Sequence, residues 1–466
     1  MEKLKQNAEF NSVIFRAYDI RGVFGEELTC EVVYEIAKAI GTIAYKKNQK
    51  EIVVGRDGRI SSPELSKILI DGLRSTGRDV IDIGIVPTPV TYFASHYLGT
   101  NNCVMVTGSH NAAEYNGLKT VLAGISLFAE GIEEIKEYVI SKDYKTGQGV
   151  LRHEDVSAEY IKRVSSDINV SIKSSPKIVI DCGNGSAGEI APRLFEALGC
   201  AVITIFSEID GNFPNHHPDP SQPENLKHLV RKVREESADI GFAFDGDGDR
   251  LGVVDAMGNI IWPDKQLMLL AIDVLSRNKG CNIIFDVKCT KYLKSVIESS
   301  SGKALMWKTG HSFIKQKMHE VNALLAGEMS GHIFFKERWY GFDDALYTAS
   351  RFIEIFSRSK KNPTELFEQL PYGISTPELR MFLKEEEHDN FMKKFTESIR
   401  SLDAEIIDID GLRIEYNDGW GLVRPSNTSP YMILRFEADT ELVLERIQSE
   451  FRTIINLIKP NSKIPF

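Results

Sequence analysis

Two periods of apolar residues alternate along most of this chain. Short continuous runs, such as EIVVG (51–55), DVIDIG (79–84) and NNCVMV (101–106), predict buried strands. Between them lie stretches with helical spacing. SSPELSKILIDGLRSTG (61–77) predicts a helix with Ser62 as N-cap, Pro63 at the first helical position and Gly77 as the stop. The pattern restarts after a polar stretch at 141–157, with a strand running into a glycine-rich turn (KIVIDCGNG, 177–185), a helix at 187–199 and strands at 201–206 and 238–244. It restarts again near Pro263, with a helix at 264–280 and strands at 281–289 and 304–311. VVGRDGR, IVIDCGNG and IIFDVKC echo one another, each a buried strand that opens into a polar loop. The alternation predicts an α/β fold built of three related units, with ligands at the carboxyl edges of the strands. The last hundred or so residues differ. A helix is predicted at 382–401, then strands and turns through 417–439, then a helix from Thr440, which makes a separate α+β domain.

Bulk properties narrow the function only a little. The chain has 466 residues, enough for three or four domains of ~100–150 residues. A net charge of −10 argues against a general nucleic-acid binder but leaves room for a phosphorylated small substrate. No stretch approaches the ~20 apolar residues of a membrane helix, and the first residues lack an apolar signal core. Six scattered cysteines without a CxxC pair predict free, mostly buried thiols in a reducing compartment. A cytoplasmic protein without membrane or nucleic-acid partners is expected.

Four loops carry candidate chemistry. TGSHNAAEYNGLK (107–119) puts Ser109 and His110 at the exit of a buried strand and ends in Lys119. FDGDGDRLGVVD (244–255) alternates Asp245, Asp247 and Asp249 with glycine, followed by Arg250. Hard oxygen ligands at this density suit magnesium or calcium. A calcium EF-hand does not fit, because the twelfth position is Asp255 and strands flank the loop. Without a cation, three such carboxylates would repel one another. A phosphorylated Ser109 would complete a magnesium site, and the chemistry would be phosphoryl transfer. A serine hydrolase fits less well: there is no GxSxG elbow, and adjacent side chains on an extended backbone point apart. GEMSGH (327–332) supplies Glu328, Ser330 and His332, a set suited to sugar hydroxyls or equally to a generic polar loop. RPSNTSP (424–430) supplies Arg424, Ser426, Asn427 and Thr428, a nest for phosphate or an ordinary turn. FRAYDIRG (15–22) adds Tyr18 and Arg21, DVKCT adds Lys288, and KTGHSFIK (308–315) adds His311.

In this order and at these separations, the loops resemble the α-D-phosphohexomutase superfamily over essentially the whole chain. GEMSGH, KTGHSFIK and FRAYDIRG resemble its bacterial phosphomannomutase/phosphoglucomutase group. That resemblance implies three related mixed-sheet α/β domains and a C-terminal α+β domain around a central cleft. The boundaries expected are 1–154 (serine loop), 155–258 (metal loop), 259–369 (sugar recognition) and 370–466 (phosphate binding). It implies that phosphoserine 109 and the three aspartates hold one Mg2+. It also implies interconversion of mannose and glucose 1- and 6-phosphates through a hexose 1,6-bisphosphate, with glucose 1,6-bisphosphate as activator and the enzyme a monomer. Glu328 and Ser330 would grip ring hydroxyls. Arg424, Ser426, Asn427 and Thr428, with Tyr18, would hold the phosphate that is not transferred. Lys288, His311 and His332 would add contacts. Lys119, Arg21, His110, His332 and Arg250 are candidates for proton transfer and charge stabilisation.

One departure stands out. The family's serine loop commonly continues SHN with proline, and this chain has Ala112, which predicts intact chemistry on a looser loop. Rival readings are a phosphoglucosamine mutase, against which Met329 speaks because that group more often has glutamine there, a magnesium-dependent phosphatase, and a sugar-phosphate sensor without catalysis.

Overall fold

The computed structural model describes residues 12–170, 176–399, 404–426 and 430–466. The chain forms two compact units, Met1–Pro263 with Ser330–Leu366, and Asp264–Met329 with Phe367–Phe466.

The first unit holds two sheets. In the first, β1 (Ile20–Val23), β2 (Glu51–Arg56), β3 (Asp79–Ile85), β4 (Cys103–Val106), β5 (Tyr115–Leu122), β6 (Ile125–Ser126) and β7 (Leu151–His153) lie in the order β1-β5-β4-β2-β3-β7, with β6 paired to β5. β3, β2 and β4 run parallel, and β5 returns antiparallel to β4. The second sheet has β8 (Lys177–Asp181), β9 (Ala201–Ile205), β10 (Ile240–Phe244), β11 (Leu251–Asp255) and β12 (Ile260–Ile261) in the order β12-β11-β10-β8-β9. Here too β9, β8 and β10 are parallel and β11 returns antiparallel. The second unit repeats the parallel core with β13 (Asn282–Asp286) between β14 (Lys303–Trp307) and β15 (Leu325–Gly327), and β16 (Ile333–Phe335) belongs to the first unit.

All three cores therefore share one strand order, with the first strand central, the second on one side and the third on the other. The echoing segments of the sequence are the three central strands. The serine loop follows β4, the aspartate loop follows β10 and GEMSGH follows β15, so three chemically different loops leave equivalent strand ends. These are the carboxyl ends, where parallel sheets present ligands.

Helical spacing explains how the first sheet is covered. Helix α1 (Cys30–Lys46) starts where the Thr29 hydroxyl accepts from Val32 N at 3.3 Å, and it buries Val33, Ile36, Ala37, Ile40 and Ile43. Helix α2 (Ser62–Ser75) buries Leu65, Leu69, Ile70 and Leu73 in the same core. Each such side chain contributes about 1.5–3 kcal/mol when fully buried. Ser62 is not the N-cap expected. It is the first helical residue, and its hydroxyl donates to Asp57 Oδ1 at 2.5 Å.

In the second unit, β17 (Ile374–Ser375), β18 (Leu379–Phe382), β19 (Glu405–Ile407), β20 (Leu412–Tyr416), β21 (Gly419–Pro425) and β22 (Tyr431–Ala438) form the C-terminal sheet. Two helices, at Glu385–Ile399 and Glu441–Ile458, accompany it. The helix expected from 382 starts at Glu385, because Phe382 pairs with Tyr431 and ends a strand. All six cysteines are free, four of them buried. No helix among the described residues is long and apolar enough to cross a membrane.

Candidate active site

Ser109 directly follows Thr107 and Gly108 at the exit of β4, in a conformation few non-glycine residues adopt, φ +50°. Left-handed backbone costs an L-residue about 1–2 kcal/mol, so the surroundings must enforce it. Ser109 N donates to Thr107 Oγ1 at 2.8 Å, and Thr107 Oγ1 donates to Asp57 Oδ2 at 2.7 Å. Gly108 N also donates to Asp57 Oδ2, at 3.2 Å. The backbone here is not extended, so the expectation that Ser109 and His110 point apart is wrong. Ser109 Oγ lies 3.2 Å from His110 Nδ1 and 3.2 Å from Asp245 Oδ2. Burial, and next the charges of Arg250 and Arg21, hold the His110 pKa well below the usual histidine range. His110 is neutral at neutral pH. Arg21 reaches the same loop, with Nη1 donating to Asn111 Oδ1 at 2.6 Å and Nη2 paired with Asp19.

The aspartate loop is packed directly against the serine loop. A Cβ on Gly246 would lie 2.5 Å from Ser109 O, so only glycine permits the approach. Thr88 ties the two domains of this unit together, its N donating to Asp247 O at 2.8 Å and its Oγ1 to Asp247 Oδ2 at 2.5 Å. Asp245, Asp247 and Asp249 are fully buried, and one oxygen from each lies within 4.8 Å of the others.

Lys119 Nζ bridges Asp247 Oδ2 at 2.6 Å and Asp249 Oδ2 at 2.5 Å. Burial alone would lower the lysine pKa, but the two carboxylates outweigh it and raise it, so Lys119 stays a cation. The same pairing outweighs burial at Asp247 and lowers its pKa. Asp245 is pushed well up, by burial first and then by Asp247 and Asp249. One lysine thus leaves the triad with more negative charge than it can carry. Asp247 Oδ1 and Asp249 Oδ1 are buried without a hydrogen bond. An uncompensated set of hard oxygens fits a divalent cation.

Beside the triad, Arg250 Nε donates to His332 Nε2 at 3.1 Å. The ring proton therefore belongs on Nδ1, which lies 3.1 Å from Asp343 Oδ2 and 3.4 Å from Asp249 Oδ1. Asp249, His332 and Asp343 are close enough to form a second metal-like cluster. An Nδ1 that carries a proton is no metal ligand, so this cluster is an N–H lying beside two carboxylates, nearer to Asp343.

The second unit gathers other predicted residues. Glu328 Oε1 accepts from Gly310 N at 2.5 Å, just before His311 opens the helix His311–Val321. Lys288 Nζ pairs with Glu378 at 3.1 Å, which outweighs burial to raise the lysine pKa and sets Glu378 at about 2. Arg424 Nε lies 3.1 Å from Asp410 Oδ2, which also accepts from Thr309 N at 3.0 Å. Ser426 is half-buried at the end of β21, its N donating to Tyr431 O at 2.9 Å. Tyr18 and Ser330 are half-buried in the first unit. Asn427 and Thr428 lie outside the described residues.

Comparison with known proteins gives this arrangement a family. Four models match in order: phosphoglucomutase/phosphomannomutase α/β/α domain I at residues 12–146, domain II at 158–258, domain III at 262–372 and the C-terminal domain at 383–454. The chain belongs to the phosphoglucomutase/phosphomannomutase family. It is 51% identical to a Pseudomonas aeruginosa phosphomannomutase/phosphoglucomutase, over 97% of each chain. It is 48% identical to a Neisseria gonorrhoeae phosphoglucomutase, over 95% of this chain and 96% of that one. A crystal structure of a phosphoglucomutase/phosphomannomutase family protein from Burkholderia thailandensis superposes with a TM-score of 0.92 at 48% identity, covering 97% of this chain and 99% of that one.

Within this phosphohexomutase-superfamily frame, the structure adds residues that reading the chain did not single out. Asp57, Arg59 and Thr88 hold the serine and aspartate loops, Asp343 orients His332, and Asp410 holds Arg424 and Thr309. RDGR and FDDA carried a faint signal, as polar residues at a strand exit and before a helix.

Proposed function

We propose that this phosphohexomutase carries its phosphoryl group on Ser109 and interconverts the 1- and 6-phosphates of mannose and glucose. The observation that supports it best is the position of Ser109 Oγ, 3.2 Å from both Asp245 Oδ2 and His110 Nδ1 beside a buried, undercompensated acidic triad. In the first transfer, the bond between phosphorus and Ser109 Oγ breaks. A new bond forms to the free hydroxyl of the hexose monophosphate, and that hydroxyl loses its proton. Neutral His110, within reach of Ser109 Oγ, accepts that proton, delivers it as an imidazolium to the departing Ser109 Oγ, and takes it back in the return transfer. The hexose 1,6-bisphosphate then returns its other phosphoryl group to Ser109.

Mg2+, held by phosphoserine 109, Asp245, Asp247 and Asp249, would neutralise charge on the phosphoryl oxygens. Lys119 is pinned as a cation, which suits charge stabilisation and not proton acceptance. Arg21 and Arg250 share that task. Glu328, Ser330 and His332 grip the sugar. Arg424, Ser426, Asn427 and Thr428, with Tyr18, Lys288 and His311, hold the phosphate that stays. Glucose 1,6-bisphosphate would prime an unphosphorylated Ser109. One chain supplies every residue in this scheme, so a monomer suffices, and six free thiols suit the cytoplasm.

Phosphorus NMR tests the reading. With Mg2+ and a trace of glucose 1,6-bisphosphate, mannose 1-phosphate and glucose 1-phosphate convert to their 6-phosphates without free phosphate. Preference for glucosamine 1-phosphate would transfer the chain to the sister mutase, and accumulating free phosphate would make it a phosphatase.

A further inference from the structure

We propose that Arg59 is the residue that positions Ser109 for phosphoryl transfer. This rests on the reading of Ser109 as the phosphoryl carrier. Arg59 lies just past β2, in the RDGR segment, and is 1% exposed. Its guanidinium has five N–H donors, and five acceptors meet it. Nε donates to Asp57 Oδ2 at 3.1 Å. Nη2 donates to Ser109 O and Asn111 O, both at 2.7 Å. Nη1 donates to Ala112 O at 2.5 Å and Tyr115 O at 3.0 Å. Four main-chain carbonyls of one loop thus converge on one rigid fork, and one of them belongs to the reactive serine.

The fork is itself fixed. Asp57 takes Nε on one side while binding Thr107 and Gly108 of the same loop. The Phe213 ring, from the neighbouring domain of the same unit, stacks 5.1 Å from Arg59 Cζ. Gly108 passes so close that a Cβ there would lie 2.6 Å from Cζ.

This arrangement bears on Ala112. Where the family commonly restrains the loop with proline, this chain has alanine, yet the alanine carbonyl is one of the four that Arg59 holds. The loop is held from outside by hydrogen bonds, which counter the loosening expected from the missing proline. Lysine cannot replace this function, because one ammonium carries three donors on a flexible stem.

The test is Arg59→Lys in the full-length enzyme with Mg2+ and glucose 1,6-bisphosphate. Five quantities are measured: kcat and KM for glucose 1-phosphate, calorimetric substrate affinity, thermal midpoint, and phosphoserine content by intact mass. Misplacing a reacting atom by about 1 Å costs about 10²-fold, so kcat should fall by about that factor while KM and affinity change less than about threefold. Arg59→Gln keeps a neutral amide donor and is judged by the same split. A kcat within about threefold of wild type, or a fall matched by lost affinity, would overturn the proposal. So would loss of folding in both variants, which would assign Arg59 to the fold alone. A wild-type enzyme without mutase activity would instead defeat the underlying reading of Ser109.

Discussion

The serine loop and the GEMSGH loop leave their sheets at the same topological place, after the third strand of a parallel core, yet they are held in different ways. In the serine loop, other residues hold the backbone. Arg59 and Asp57 take its carbonyls and N–H groups, and Ser109 is left to present its hydroxyl. In the GEMSGH loop, the side chain proposed to bind sugar is itself part of the scaffold. Glu328 accepts from Gly310 N, and Asp286, the counterpart of Asp57, takes one main-chain N–H of the loop, Met329 N at 3.4 Å, besides Thr309 Oγ1 at 3.3 Å and Lys288 N at 3.0 Å. The difference teaches how one repeated framework separates tasks. A reacting atom needs a backbone fixed from outside, whereas a recognition carboxylate can exchange a backbone partner for a sugar hydroxyl. Substitutions in the serine loop should therefore act on kcat, and those in the sugar loop on KM.

The largest expected effect is at Ser109. Ser109→Ala should lower kcat by about 10⁴-fold or more while substrate binding stays measurable by calorimetry. Retention of most of the rate would erase the contrast between the loops. Asp247→Asn should come next, cutting transfer about 10²-fold and weakening the Mg2+ titration together with it, because it removes a negative charge from the proposed metal set and weakens the Lys119 bridge. An unchanged metal titration would remove the triad from the account. Glu328→Gln should raise KM about tenfold for either regioisomer, the cost of one charge-assisted hydrogen bond, with kcat nearly unchanged. A fall in kcat alone would show that the sugar loop also serves the chemistry.

The smallest effect concerns the third equivalent aspartate, Asp181, at the end of β8. It binds His216 Nε2 at 3.0 Å, while His216 Nδ1 faces His217 O at 2.9 Å. Burial opposes the charge on His216, but the Asp181 hydrogen bond and charge outweigh it and raise the pKa. A raised histidine contributes stability that is complete below its unfolded pKa of about 6.5 and is lost as pH rises through the folded value. The thermal midpoint of wild type should therefore drop as pH rises above about 6.5 and through the folded value, and His216→Gln should flatten that slope. Equal slopes would mean that Asp181 holds its loop without using the charge.

Much of this was legible in the chain. Strand and helix periods marked the three cores, and alternating aspartates between apolar strands marked the buried acidic triad. What escaped reading was long-range. Arg59 acts on carbonyls fifty or more residues away, and main-chain acceptors leave no trace in a sequence. Asp343 meets His332 only because Phe334 bridges back to Asp343. Ser62 looked like a cap because its spacing was right, but Asp57 took its hydroxyl. The Ser109–His110 contact depends on one positive φ, which no composition encodes.

The most direct test of the central claim is intact-mass spectrometry of the wild-type enzyme with Mg2+ and glucose 1,6-bisphosphate, followed by a chase with excess mannose 1-phosphate. The expected result is one added phosphoryl group, mapped to Ser109, that passes to the sugar at the rate of turnover. An enzyme that turns over with Ser109 unmodified, or that carries the group on another residue, would contradict it.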